Sequence, residues 1–192
     1  MLLIGNSKAD ITPPVGIAHA NWGSSVHQVA EGIDMPLYCN VLYIESEASG
    51  NKVIILDLDL CIIDDEIDQM IREAVLSVIN IPSENIRISV SHTHAGPPYG
   101  RSDSTGGGWL TEGVDLIVPY FESFPEKISD AIKKATGSLK RCNISYGIGR
   151  SDININRRPA DENGNLFTGR NWDGIVDHSV DVIGFNDENG NV

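Results

Sequence analysis

Between residues 52 and 90 the chain carries an apolar run, a helical repeat and a second apolar run. That order constrains the fold more than any other feature. KVIILDLDLCII (52–63) is rich in β-branched residues and reads as a strand. In DEIDQMIREAVLSVI (65–79), Ile67, Met70, Ile71, Ala74, Val75 and Val78 recur at helical spacing. Asp64 and Asp65 are suited to cap the start of that helix, and Pro82 and Ser83 end it. IRISV (86–90) is then a short buried strand. Strand, helix, strand predicts a βαβ unit with IRISV parallel to KVIILDL, because the helix returns the chain to the same end of the sheet.

The remaining segments extend this sheet. Residues 1–11 read as a first strand, stopped by Thr12-Pro13-Pro14. YCNVLYIE (38–45) reads as a strand joined to KVIILDL through the turn SEASGN, which predicts a hairpin. A second helix is expected from about Val118 to Ala135, with Pro125 placed to break its first turn. CNISYGIG (142–149) and VDVIGF (180–185) are further strands. Residues 15–36, with Trp22, His19 and His27, and YGRSDSTGGGW (99–109) have loop character. The fold class is therefore α/β, a mixed parallel and antiparallel sheet with packed helices. The pentapeptide DENGN occurs twice, at 161–165 and 187–191, and Asn-Gly between strands is a strong hairpin signal. The first copy can turn a local ribbon. The second follows VDVIGF with no return strand after it; this reads either as a half-written hairpin, with residues 1–192 a single but incomplete catalytic domain, or as a frayed polar C-terminus.

Composition narrows the partners. Lys plus Arg is 14 and Asp plus Glu is 27, a formal charge of −13. Such an acidic balance argues against a nucleic-acid backbone or an anionic membrane as the main partner. Cys39, Cys61 and Cys142 are odd in number and form no CxxC pair, which fits a reducing compartment. With no signal peptide or membrane span legible, a cytoplasmic location is the expectation.

SHTHAGPP (91–98) follows IRISV directly. Residues i and i+2 of a strand share a face, so His92 and His94 both face one way at the C-terminal end of IRISV, where α/β proteins build sites. Neutral imidazole is a common zinc ligand, so one or both histidines are metal-ligand candidates; the alternative is a pair of ordinary hydrogen-bonded histidines. A catalytic zinc usually takes three protein ligands, and His19, His27, His178 or a carboxylate are the other candidates. Asp57 and Asp59 alternate in LDLDL. Asp59, nearer the strand end, is the better candidate to orient a metal-bound histidine, although an Asp there is equally suited to bonding loop amides. Arg157 and Arg158, in an acidic chain, are placed either to grip an anionic or amide oxygen or to bridge Asp152 and Asp161. The glycines at 106–108 lack the Lys-Ser or Lys-Thr of a P-loop and read as a mobile loop, with Trp109 as an apolar contact. No GxSxG is present.

These stretches, in order, resemble the N-terminal region of the neutral/alkaline non-lysosomal ceramidases. The matching pieces are ADITPP (9–14), Gly32-Ile33 before Pro36-Leu37-Tyr38, LDL at 58–60 with Asp57, SHTHAGPP, and Asn154-Ile155-Asn156-Arg157-Arg158. The resemblance implies a zinc-dependent hydrolase that cleaves an amide bond, of ceramide or a related N-acyl compound, by metal-activated water. It implies His92 as the zinc ligand, His94 beside the metal in contact with the substrate or oxyanion, and Arg157 in contact with the substrate. The implied partner is a small-molecule or lipid-like amide, and the other zinc ligands would come from later in the family's chain. Asp34 stands where the family has a His, and Pro98-Tyr99 where it has glycines. Two alternatives use the same residues: a non-catalytic ligand-binding module of this fold, and an unrelated barrel hydrolase with HxH, which the preceding βαβ unit disfavours.

Overall fold

The structure is a computed structural model and describes residues 1–19, 27–98, 110–187 and 189–190. The expectations placed on Trp22, on the loop 99–109 with its glycines and Trp109, and on the last residues of the second DENGN copy lie outside the described residues. The chain divides into two compact units, Met1–Arg141 and Cys142–Val192.

The first unit is a mixed sheet with helices packed against it. Strands β1 (Leu2–Asp10), β2 (Tyr38–Ser46), β3 (Lys52–Leu58) and β4 (Ile86–Val90) lie in the order β4-β3-β2-β1. β1–β2 and β2–β3 are antiparallel, and β3–β4 is parallel with Ile54 opposite Ile86 and Leu58 opposite Val90. Alternation selects the inner face: Cys39, Val41 and Tyr43 on β2 pair with Leu58, Leu56 and Ile54 on β3, and all six are buried. Against that layer pack α1 (Asp65–Val78), through Ile67, Ile71, Ala74 and Val75, and α3 (Phe124–Gly137), through Phe124, Ile128, Ala131, Ile132 and Ala135. Asp64 caps α1, its carboxylate accepting from the Ile67 amide at 2.9 Å.

Three expectations change in detail. The second helix is two helices, α2 (Ile117–Glu122) and α3, meeting at Ser123. Pro125 sits in the first turn of α3, where its missing N–H is harmless. IRISV is not a buried strand: β4 is last in the sheet order, and only Ile86 is fully buried. Finally, β3 ends at Leu58, although the alternation of LDLDL continues. At the next pair the Asp59 amide donates to the Tyr38 carbonyl, but the Tyr38 amide donates to the Asp59 carboxylate (2.9 Å each). The side chain thus replaces a main-chain acceptor. The backbone is released into a tight turn, Leu60 N–H to Leu58 C=O at 2.8 Å.

The second unit is built on an antiparallel hairpin of β5 (Lys140–Arg150) and β6 (Ser179–Asn186), with Asn143 opposite Asn186 and Arg150 opposite Ser179. Between them the first DENGN copy turns a local ribbon bridged at Ala160 and Leu166, as its sequence suggests. Both copies close alike: Gly164 and Gly190, each at positive φ, donate to the carbonyls of Asp161 and Asp187 at 3.0 Å.

Candidate metal centre

The site forms where β3 and β4, the parallel pair, end. Beyond β4 the Ser91 amide still bonds to the Leu58 carbonyl at 3.0 Å, and then the chain departs from strand geometry. His92 has φ +59°, the one non-glycine residue with positive φ among the described residues. A side chain there is held against backbone preference, as happens where a fold positions a functional group. Strand alternation therefore does not bring the two histidines together; a turn does. Their rings meet edge to face, centroids 4.9 Å apart.

The β3–α1 loop supplies the third member. The turn after Asp59 places Cys61 beneath both rings, 5 % exposed, its Sγ 3.7 Å from His92 Nδ1 and 3.7 Å from His94 Nε2. The Cys61 carbonyl lies 2.8 Å from His92 Nδ1. Nδ1–H therefore donates to that carbonyl, leaving Nε2 with its lone pair outward, the arrangement usual for a metal-ligating histidine. One donor atom from each of Cys61, His92 and His94 lies within 4.8 Å of the others. Two imidazoles and a thiol form a nitrogen and sulfur set that suits zinc and not magnesium or calcium.

Beside this cluster opens a cleft of about 420 Å³. It is lined by Thr93 and Ala95 of the histidine loop, by Asp59, and by apolar residues that include Ile33, Met35 and Leu37. His19 also lines it, as does Asp34.

The other candidates are placed as follows. Asp59 is on the cleft wall, and its carboxylate serves the Tyr38 amide, whereas His92 Nδ1 is held by a backbone carbonyl. Asp57 accepts from the Ser89 hydroxyl at 3.0 Å, tying β3 to β4. His27 pairs with Glu31 at 3.5 Å on the surface. In the second unit, His178 Nδ1 lies 3.0 Å from the Ser151 carbonyl and 3.3 Å from the Asp152 carboxylate. Arg157 is exposed there. The acids that could have neutralised it are engaged otherwise: Asp152 with Arg150 at 2.6 Å, Asp161 with the amides of Asn163 and Asn165. Those turn bonds, the Asn165 side chain first, hold the Asp161 carboxyl below the usual range. Cys61 is the functional candidate that the sequence reading missed. It is buried, as its apolar neighbours suggest, and the early end of β3 is what sets it beside the two histidines.

The family model for neutral/alkaline non-lysosomal ceramidases, N-terminal, matches residues 2–191. The chain belongs to this family. It is similar to neutral ceramidase 1 of Arabidopsis thaliana, 28% identical over 171 residues, which cover 82% of this chain and 20% of that protein. Neutral ceramidase 2 of the same plant is 25% identical over 167 residues, covering 83% and 22% respectively. The ceramidase-family chain thus spans about a fifth of the length of these relatives. The crystal structure of neutral ceramidase from Pseudomonas aeruginosa superposes with a TM-score of 0.75 at 22% identity, over 98% of this chain and 30% of that one. The mixed sheet with packed helices is therefore the fold of the N-terminal part of a ceramidase. No helix among the described residues is long and apolar enough to cross a membrane.

Proposed function

We propose that this ceramidase-family chain contributes the metal-holding front of a hydrolase that cleaves a ceramide-like N-acyl amide, with zinc as the metal. The observation that carries the reading is the donor cluster at the ends of β3 and β4, beside a cleft with an apolar wall. Zinc held there supplies a nucleophilic water near neutral pH and a Lewis acid for the amide oxygen.

The chain's own residues divide the remaining work. His92 holds the ion through Nε2, and the Cys61 carbonyl keeps that tautomer and ring orientation. His94, packed against His92, is within reach of whatever is bound beside the ion. Asp59 shapes the cleft wall by pinning Tyr38. Ile33, Met35 and Leu37 give an alkyl chain an apolar surface, worth about 25 cal/mol for each Å² taken from water. Arg157, with a permanently charged planar fork, suits a hydroxyl or amide oxygen of the substrate.

The test is hydrolysis of a short-chain ceramide by the chain, alone and in a C-terminally extended protein, with and without chelator. Activity in the extended protein should fall to background with chelator and by at least about 10²-fold in His92→Ala, the scale of losing a principal charge-stabilising group. Activity untouched by both treatments overturns the proposal. Tight binding of the ceramide without turnover in the extended protein points instead to a binding module.

A further inference from the structure

We infer that the cleft beside the histidines takes an N-acyl amide whose amine portion carries a positive charge, and that Asp34 is the residue that selects it. This rests on the reading of that cleft as the substrate site and deepens it by naming the class of head group.

The cleft combines an apolar lining, Ile33, Met35 and Leu37 among it, with two carboxylates, Asp34 and Asp59. Among the described residues no lysine or arginine lines it. The two carboxylates are not equivalent. Asp59 is committed, its Oδ2 accepting from the Tyr38 amide at 2.9 Å. No hydrogen bond or ion pair among the described residues engages Asp34. Asp34 also stands between Ile33 and Met35, and all three line the cleft. A hydrocarbon chain laid along those two side chains strips part of the water from the carboxylate between them, which costs free energy. A neutral lipid does not recover that cost. A ligand whose hydrocarbon part ends in an ammonium does, by a charge-assisted hydrogen bond.

The backbone places Asp34 without using its side chain. At one end of the segment the Ala30 amide donates to the Ile17 carbonyl at 2.9 Å, and the Ala30 carbonyl accepts from the Gly16 amide at 2.8 Å. At the other end the Leu37 amide donates to Thr12 Oγ1 and the Leu37 carbonyl accepts from the Ile11 amide, 2.9 Å each. Residues 31–36 between these anchors are exposed. The loop is thus positioned by main-chain bonds at its ends and by Thr12, so Asp34→Asn removes a charge from the cleft and no bond from the fold. The whole chain acts in the same direction at longer range: a formal charge of −13 draws a cationic substrate in and repels an anionic one. An N-acyl compound with a free carboxylate on its amine portion is therefore disfavoured.

The experiment has two arms. In the first, n-hexylammonium and n-hexanol are titrated into the metal-free chain and followed by NMR chemical shifts. The ammonium should bind about 5-fold more tightly than the alcohol, the scale of an exposed ion pair. Asp34→Asn should bring the two affinities together; because it leaves every other acid in place, that loss cannot come from the general negative charge. In the second arm, the C-terminally extended protein is given two amides of one fatty acid, the first with a neutral hydroxylated amine portion and the second with an ammonium there. Its kcat/KM should favour the cationic amide by about the same factor, and Asp34→Asn should lower only that amide, to the level of the neutral one. Equal binding of ammonium and alcohol, a preference that survives Asp34→Asn, or faster turnover of the neutral amide overturns the role of Asp34. Hydrolysis of neither amide, with the binding preference and its loss in Asp34→Asn both present, overturns the hydrolase reading and supports the charge selection by Asp34.

Discussion

At the scale of single residues, the chain has three cysteines in three different settings, and chemistry separates them. Cys39 is fully buried on β2. Burial first, then the nearby carboxylates of Asp57 and Asp59, push its thiol up to about 12. The folded state therefore holds this proton more tightly than the unfolded chain does. The resulting stability is fully present below the ordinary thiol value of 9.0 and is lost as pH rises from there toward 12. Cys39→Ala should lower stability at neutral pH by leaving a small cavity, yet flatten the alkaline decline. Urea midpoints measured across that interval check this; parallel curves for the two proteins would show that the thiolate is not what destabilises the fold at high pH. Cys61 differs in having two imidazoles within 3.7 Å of its sulfur.

At the scale of elements, close approach between helix and sheet sets the tolerances. A Cβ added at Gly5 on β1 would lie 1.9 Å from the Ala135 carbonyl oxygen of α3, a backbone atom that no rotamer change can move. Gly5→Ala should thus cost more than the usual overpacking range of about 1–3 kcal/mol, read as a drop in urea midpoint without change of slope. An unchanged midpoint would mean that α3 can slide on β1. Much at this scale was legible beforehand. The period of Ile67, Ile71, Ala74 and Val75 and the capping Asp64 define α1, and the helix forces β3 and β4 to be parallel. Pro125 marks the break between α2 and α3. What was not legible depends on bonds between distant residues. The alternation in LDLDL says the strand continues through Asp59, and only Tyr38, 21 residues away, turns that carboxylate into a strand terminator. IRISV reads as buried because its composition is apolar, whereas its position at the end of the sheet order leaves it half-covered. For the site, the motif HTH drew attention to the two histidines but not to how their rings meet. A period of two predicts a shared face, but the rings meet through the turn at His92, and Cys61 enters from a loop that a strand reading does not contain.

At the scale of the molecule, the proposed metal site would also act as a clamp. Cys61 lies in the loop leaving β3, and His92 and His94 in the loop leaving β4, with α1 between them. An ion held through His92, whose ring is fixed by the Cys61 carbonyl, would fasten the two loops together on the side where regular hydrogen bonding stops. The unfolded chain does not preform such a site, so binding free energy adds to folding free energy. Zinc free at about 100 times its dissociation constant should stabilise the first unit by about 2.7 kcal/mol. With a formal charge of −13, the chain will also attract cations without specificity, and two controls separate that effect. Magnesium, which prefers oxygen, should reproduce only the part of the shift that comes from screening carboxylates, and that part should be much smaller than the zinc effect. His92→Ala should remove most of the zinc effect while keeping every carboxylate in place. A zinc shift that persists in His92→Ala, or that magnesium reproduces in full, would assign the stabilisation to the acidic surface and not to a clamp across β3 and β4.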